Sequence, residues 1–261
     1  AVASRTMAMQ PVHVTDSAGP LLQSTAGIHI IFVNIDWKRT RQVNAVASKR
    51  NLRQLAETIG SIVKEMEPAV ICCCEVGNVT QPMTSPQIND MMQTFREAWR
   101  DDISFLYAEG EPYLTAWNGN LCSCKHGRIL SNLYRASGQP RTAQAFVCTM
   151  PGDSDDLGIE VINVHAPSGT RVLTDAQRRT LFWNLLQSSS KIPEPQRRQD
   201  RCPPKTIGEA KFIIGGDTNT SEMVLGQILN DLNQSGTLKV SFEVMRPTWG
   251  LHGDILSLIH I

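Results

Sequence analysis

The segment Ile213-Ile214-Gly215-Gly216-Asp217-Thr218-Asn219 carries the most information about the fold of this chain. It begins as an apolar run and ends in a carboxylate and an amide two positions apart. Glycine and aspartate favour turns for local reasons, so a buried strand that ends in a polar turn would account for the segment. The same two polar side chains would also suit holding a metal ion, or a water molecule, against a phosphate. The rest of the sequence decides between these interpretations.

Three further apolar runs end in a polar residue. They are Ile28 to Val33, Ala69 to Cys74, and Ile159 to Val164. Nearly continuous apolar runs are typical of strands that are covered on both faces. The polar residues that follow the four runs are Asn34, Glu75, His165, and Asp217 with Asn219. This set contains the groups needed to hold a divalent cation and to stabilise a phosphate, which favours a catalytic site over four unrelated turns.

Amphipathic helices alternate with these strands. Apolar residues at three- and four-residue intervals predict a helix over Ser48 to Glu67. Ser85 followed by Pro86 predicts the start of a second helix, and Thr174 with Gln177 predicts a capping box for a third. Ser221 is predicted to cap a fourth. Shorter strands are predicted at Ile103 to Tyr107, Tyr113 to Trp117, Arg128 to Tyr134 and Ala143 to Cys148.

Composition sets bounds on the class of protein. The chain has 261 residues, of which 41% are hydrophobic, enough to bury the core of one large α/β domain. The formal net charge is zero, so no global charge attracts the chain to nucleic acid or membrane, although local basic patches remain open. The sequence has no apolar stretch long enough to span a membrane and no recognisable secretion signal. We therefore expect an intracellular protein of the cytoplasm or nucleus.

The seven cysteines support a reducing compartment. Cys72, Cys73 and Cys74 are consecutive within an apolar run, where adjacent side chains cannot pair in ordinary strand geometry, so we expect buried free thiols. Cys122 and Cys124, with His126 close behind, invite comparison with a zinc site. No second cysteine pair follows at zinc-site spacing, so the spacing does not favour zinc.

The two ends are expected to lie outside the folded domain. Residues 1–26 lack sustained periodicity and are predicted to be a poorly ordered lead-in, whereas residues 27–255 are predicted to form the domain. Residues 256–261 are the translation of CTG TCT CTT ATA CAC ATC, which resembles the end of a common sequencing adaptor. We therefore expect them to be a non-native tail and the native C-terminus to be absent.

Four short motifs, taken in order, resemble one known superfamily. They are Val33-Asn34-Ile35, Cys74-Glu75-Val76, Asn163-Val164-His165-Ala166-Pro167 and Gly216-Asp217-Thr218-Asn219. This set resembles the endonuclease/exonuclease/phosphatase superfamily, whose fold is similar to that of deoxyribonuclease I, and it covers the chain from about Ile28 to its end. The resemblance implies a four-layer α/β/β/α sandwich with two facing mixed β-sheets, from which the last strands would be missing here.

The resemblance also implies a role for each motif residue. Glu75, helped by Asn34, would hold a magnesium or manganese ion, because carboxylate and amide oxygens suit a hard cation. Asp217 and Asn219 would position the attacking water and a phosphate oxygen. His165 would donate a hydrogen bond to the phosphoryl oxygens as negative charge builds up in the transition state.

The chain departs from the superfamily in one respect. Members end with an element similar to Ser-Asp-His, whose histidine is the general base, and no Asp-His pair occurs here. His252 and Asp254 are the nearest substitutes, in reversed order, and the true pair is expected beyond the chain given. A missing base would lower the rate by roughly 100- to 10,000-fold. Arg128 follows a glycine at the start of a predicted strand and is a weak candidate for facing the site.

The function predicted from these residues is magnesium-dependent hydrolysis of phosphate esters, most of all phosphodiester bonds of nucleic acid. Two alternatives remain open. One is a phosphatase of inositol phosphates or phospholipid headgroups, and the other is a catalytically impaired binding module that keeps the fold. An oligomeric state is not predicted.

Overall fold

The computed structural model describes residues 29–35, 45–76, 83–136, 139–153, 158–166, 173–187, 212–218, 222–234, 243–245 and 258–260. The predicted lead-in over residues 1–26 lies outside these ranges. The strands, in chain order, are β1 (Ile30–Asn34), β2 (Val70–Cys74), β3 (Ser104–Tyr107), β4 (Tyr113–Trp117), β5 (Ser123–Ala136), β6 (Gln139–Thr149), β7 (Ile159–His165), β8 (Phe212–Asp217), β9 (Glu243–Met245) and β10 (Leu258–His260). The helices are α1 (Ala45–Met66), α2 (Ser85–Ala98), α3 (Asp175–Gln187) and α4 (Glu222–Gln234).

The described strands form two mixed sheets. The first sheet has the order β1-β2-β4-β3, and the second has the order β5-β6-β7-β8-β10-β9. Within the first sheet β1 and β2 are parallel, and within the second β7 and β8 are parallel. The other neighbouring pairs are antiparallel. Each sheet therefore contains one parallel pair whose carboxyl ends meet at a common edge.

Three hydrophobic clusters define four layers. One cluster packs α1 and α2 against the first sheet and includes Ile59, Phe95 and Leu114. A second fills the space between the two sheets. The third packs α3 and α4 against the second sheet and includes Leu185 and Ile228. The predicted α/β/β/α sandwich with two facing mixed sheets is confirmed.

The cysteine-rich strand β2 shows why both faces of a central strand must be apolar. Ile71 and Cys73 belong to the cluster beneath α1 and α2, whereas Val70 and Cys72 belong to the cluster between the sheets. Side chains alternate along a strand, so a strand with a layer on each side buries all of them. The six described cysteines are buried free thiols, as predicted, and Cys202 lies outside the described residues.

The helix starts follow capping chemistry, with one correction. Thr174 and Gln177 form the predicted capping box, in which Thr174 N donates to Gln177 Oε1 at 2.8 Å. For α2, however, the cap is Thr84 and not Ser85. Thr84 N donates to Gln87 Oε1 at 2.9 Å. A cap at Ser85 would place Ile88 three residues later, which has no side-chain acceptor for this interaction.

The hairpin β5–β6 is longer than predicted. Its register shifts between Lys125 and Arg128, where His126 has φ of +56° and an extra residue is accommodated. This irregularity divides the strand and hid its first part from the sequence pattern.

The last strand places part of the predicted tail in the second sheet. Residues 258–260 form β10, which pairs antiparallel with β8 and with β9. In the part of the chain that the structure describes, no helix is long and apolar enough to cross a lipid bilayer.

Candidate active site

The two parallel pairs bring four predicted site residues to one edge of the sandwich. Asn34 ends β1 and Glu75 follows β2, while His165 and Asp217 end β7 and β8 in register with each other. The carboxyl ends of parallel strands are the usual position of ligand sites in α/β proteins. We refer to Asn34, Glu75, His165 and Asp217 as the edge cluster.

Direct contacts join the edge cluster across the two sheets. Asn34 Nδ2 donates to Asp217 Oδ2 at 2.9 Å. His165 Nε2 lies 3.1 Å from Glu75 Oε1 and 3.9 Å from Asp217 Oδ2. Asn34 and Glu75 belong to the first sheet, and His165 and Asp217 belong to the second. The site therefore exists only when the two sheets are packed face to face.

Burial makes this arrangement costly without compensating charge. Glu75 is 8% exposed, His165 is 7% exposed and Asp217 is 2% exposed. Buried carboxylates are unfavourable unless they are paired, hydrogen-bonded or bound to a cation. Two carboxyl groups and one imidazole share this small volume, and a divalent cation there would offset the negative charge of the carboxylates.

The backbone at Glu75 is unusual. Its φ is +58°, in the left-handed region that a non-glycine residue occupies at a cost of about 1 kcal/mol or more. Hydrogen bonds hold the chain on both sides: Ile35 N donates to Cys74 O at 3.2 Å, and Val76 N donates to Pro112 O at 3.1 Å. Such conformations concentrate at functional sites, where the surrounding structure enforces them.

Two buried polar residues, Tyr113 and Asn163, contact the edge cluster or the strands that carry it, and the sequence analysis assigned a role to neither of them. The Tyr113 hydroxyl donates to Thr142 O at 2.5 Å and accepts from His165 N at 3.3 Å. Asn163 Nδ2 donates to Cys73 O at 3.0 Å and so links the two sheets. Asn163 belongs to the quoted Asn-Val-His motif, and a polar residue within an apolar strand could have indicated a role for it. Tyr113 begins an ordinary apolar strand, so no sequence pattern indicates its role.

Replacing Tyr113 by phenylalanine is expected to lower the free energy of unfolding by about 1–3 kcal/mol, because Thr142 O and His165 N would lose a buried partner. Urea denaturation of the two proteins measures this difference. Tyr107→Phe is the control, since the Tyr107 hydroxyl lies outside this hydrogen-bond chain. Equal losses in the two variants would contradict a specific role for Tyr113.

Cys74, which immediately precedes Glu75, is a neutral thiol. Burial raises its pKa well above the ordinary value, and the charges of Asp217 and Glu75 raise it further. A thiol with a raised pKa is a poor nucleophile at neutral pH. Cys74 is therefore unsuited to act as a nucleophile.

Of the remaining predicted site residues, the structure describes only Arg128, and it lies away from the edge cluster. Arg128 Nη2 is 2.7 Å from Glu160 Oε1, and Glu160 is buried near the start of β7. Glu160 precedes His165 by five residues, a distance of roughly 16 Å along an extended strand. Arg128 thus neutralises a carboxylate away from the edge cluster. Asn219, His252 and Asp254 lie outside the described residues.

The donor atoms of the edge cluster fit a hard divalent cation. The Glu75 carboxylate supplies an anionic oxygen, and Asn34 supplies an amide oxygen once its Nδ2 is engaged with Asp217 Oδ2. Magnesium prefers such oxygen ligands and keeps several waters, so it needs only one or two protein groups. The left-handed backbone at Glu75 and the burial of Asp217 supply the pre-organisation that such a site requires.

Comparison with known proteins identifies the fold. No family model matches the sequence, and no curated protein matches it. Three similar solved structures are a humanised D. rerio TDP2, an endonuclease/exonuclease/phosphatase family protein of Bacteroides thetaiotaomicron, and a mannosyl-6-phosphatase of Bacteroides thetaiotaomicron.

The overlap with these structures is extensive although the sequences have diverged. The TDP2 structure is 15% identical with a TM-score of 0.54, over 89% of this chain and 83% of that one. The family protein is 12% identical with a TM-score of 0.53, over 89% of this chain and 82% of that one. The phosphatase is 12% identical with a TM-score of 0.52, over 90% of this chain and 85% of that one. A structure of D. rerio TDP2 in complex with a single-strand DNA product is 12% identical, with a TM-score of 0.50 over 89% of this chain and 83% of that one. The chain therefore has the fold of the endonuclease/exonuclease/phosphatase proteins.

Proposed function

We propose that this protein is a metal-dependent phosphoesterase whose reaction takes place at the edge cluster. The observation that carries the proposal is the convergence of an amide, two carboxylates and an imidazole from four strand ends, with contacts of 2.9 Å and 3.1 Å across the two sheets. Asn34 and Asp217, for example, are 183 residues apart in the sequence. A purely structural role does not require such groups to meet at one edge.

Each residue of the cluster has a distinct task in this proposal. Glu75 and Asn34 would hold a magnesium ion, which supplies Lewis acidity toward a phosphoryl oxygen when bound. Asn34 Nδ2 also fixes the orientation of the Asp217 carboxylate through their 2.9 Å hydrogen bond. Asp217, with Asn219, would orient the attacking water against the phosphorus. The candidates in this chain for the base that takes the proton of this water are His252 and Asp254.

His165 would stabilise the transition state. Its Nε2 is buried and lies 3.1 Å from Glu75 Oε1. An N–H group at this nitrogen would donate a hydrogen bond to a phosphoryl oxygen of the bound substrate. The Tyr113 hydroxyl accepts from His165 N and keeps the backbone of this residue in place. Donors held in advance of the reaction are worth about 100- to 1,000-fold in rate each.

The substrate class we propose is the phosphodiester bond of nucleic acid. The TDP2 complexed with a single-strand DNA product supports this choice, because it has the same fold over most of this chain. The mannosyl-6-phosphatase supports phosphomonoesters as the second candidate. Either substrate would present a phosphoryl oxygen to the edge cluster, so the two candidates differ in the groups that would bind the remainder of the substrate.

The test is a panel of four substrates, each with magnesium and with excess chelator. The substrates are supercoiled plasmid, single-stranded DNA, single-stranded RNA and an inositol phosphate. Magnesium-dependent cleavage of a nucleic acid supports the proposal. If phosphate is released from the inositol phosphate and no nucleic acid is cleaved, the substrate class is phosphomonoesters and not nucleic acid. Binding of nucleic acid without hydrolysis of any substrate would overturn the enzymatic proposal in favour of a binding module.

A further inference from the structure

Three buried thiols meet at a position remote from the edge cluster. Cys122 lies just before β5, Cys124 lies in β5 and Cys148 lies in β6. Their exposed fractions are 1%, 8% and 1%. The three Sγ atoms all lie within 4.8 Å of one another. We refer to these residues as the thiol cluster.

The antiparallel hairpin produces this arrangement. Cys124 and Cys148 are directly opposite each other in the β5–β6 register. Cys122 comes two residues earlier, and its Sγ lies 3.7 Å from Ala69 O. Side chains two positions apart point to the same face of a strand, so the cysteines all face the space between the sheets.

The thiol cluster is distinct from the proposed phosphoesterase site. Cys148 is in register with Ile159 at the start of β7, whereas His165 ends that strand six residues later. Six residues of extended strand span roughly 20 Å. The two sites therefore lie toward opposite ends of the second sheet.

The three side chains offer the ligand chemistry that zinc prefers. Their sulfurs form one compact, buried group between the sheets. The thiolate is the form of cysteine that ligates metals, so binding of a cation would release the thiol protons.

We propose that Cys122, Cys124 and Cys148 form a binding site for Zn²⁺. With Zn–S bonds of about 2.3 Å, the sulfurs of a tetrahedral site lie about 3.8 Å apart. The three Sγ atoms lie within 4.8 Å of one another, which is compatible with this spacing. Zn²⁺ carries two positive charges, so it neutralises buried thiolates better than a monovalent soft cation would.

Cys72 is the candidate for the fourth ligand. It is fully buried and belongs to the same intersheet cluster as the three thiols. Cys72 lies on β2 of the first sheet, so a zinc ion with this ligand set would link the two sheets. Spacing along the sequence does not suggest this site, since two of the four thiols come from remote strands.

The experiment uses the full chain, reduced and treated with chelator, and then titrated with Zn²⁺. We expect about one bound zinc per chain by elemental analysis, and a rise in melting temperature on zinc addition. Co²⁺ in its place should give thiolate-to-cobalt charge-transfer absorption, with intense d–d bands if the site is tetrahedral. Cys122→Ser and Cys148→Ser should each weaken zinc binding by at least about 100-fold, because each removes a direct ligand.

Cys73→Ser is the matched control, because Cys73 is an equally buried thiol that faces the helices instead. It should leave zinc binding unchanged. Cys72→Ser should weaken binding less than Cys148→Ser and should reduce the intensity of the cobalt d–d bands. Folded, reduced protein that takes up no zinc would overturn the proposal, as would equal uptake by a Cys122→Ser/Cys148→Ser double variant that remains folded by circular dichroism.

Discussion

Glu75→Gln is expected to reduce magnesium-dependent hydrolysis by roughly 100- to 10,000-fold while leaving the protein folded. In the unchanged protein, Glu75 Oε1 lies 3.1 Å from His165 Nε2. Glutamine has nearly the same size and can keep this contact. It removes the negative charge that the proposed cation requires. Rates are measured on the best substrate of the panel over a range of magnesium concentrations, so that weaker metal binding appears as a shift to higher magnesium.

Asp217→Asn serves as the companion variant, and Glu97→Gln serves as the control. Asp217 is buried within the edge cluster, whereas Glu97 is exposed on α2 and contacts Gln93. We expect a comparable loss for Asp217→Asn without the shift in magnesium requirement, and wild-type rates for Glu97→Gln. Full activity of either cluster variant, with an unchanged melting temperature, would refute its assigned role.

Gly216→Ala is expected to lower the free energy of unfolding by about 3 kcal/mol or more. Gly216 has φ of +120°, which side chains of L-amino acids rarely adopt, and a Cβ there would overlap the backbone oxygen of Val164 on β7. Backbone strain of about 1–3 kcal/mol and overpacking of similar size both contribute. Urea denaturation measures the change, and activity should fall as well because Asp217 is the next residue.

Two other glycines separate strain from steric overlap. Gly110 also has a positive φ, of +83°, but a Cβ there would meet no atom within 4 Å, so Gly110→Ala should cost only about 1 kcal/mol. Gly226 lies in α4 in open space, and Gly226→Ala should stabilise the protein by about 0.5–1 kcal/mol. A loss for Gly216→Ala no larger than that for Gly110→Ala would show that the contact with Val164 is unimportant.

Gly215 illustrates what a sequence pattern can and cannot convey. A glycine beside a buried strand end suggests close approach, and a Cβ at this position would overlap the ring of Phe32 on β1 of the facing sheet. The pattern indicated that something approaches closely, but Phe32 is 183 residues away in the chain and no local signal names it. The same limit applies to the hydrogen bond between Asn34 and Asp217.

The alternation of apolar strands and amphipathic helices was predictable because it depends on periods of two and 3.6 residues within one segment. Helix α1 and strand β4 were found at or within a few residues of their predicted positions. The cap of α2 was misplaced by one residue, because Thr84 and Ser85 are both good caps and only Gln87 distinguishes them. The first part of β5 was missed because a register shift interrupts its period.

The sequence by itself determined the buried strands, the amphipathic helices and the polar strand ends, since burial of a strand on two faces requires apolar residues and leaves polar ones at its end. The four-layer arrangement was implied by the resemblance to the superfamily. Only the tertiary structure decided which of these ends meet. It placed Glu75 in a left-handed turn against His165, set Tyr113 behind that histidine, and paired Arg128 with Glu160 instead. It also brought the sulfur of Cys148 within 4.8 Å of the sulfurs of Cys122 and Cys124. The physical reason is that sheet pairing and sheet packing connect residues remote in the chain, and their partners leave no mark on local periodicity.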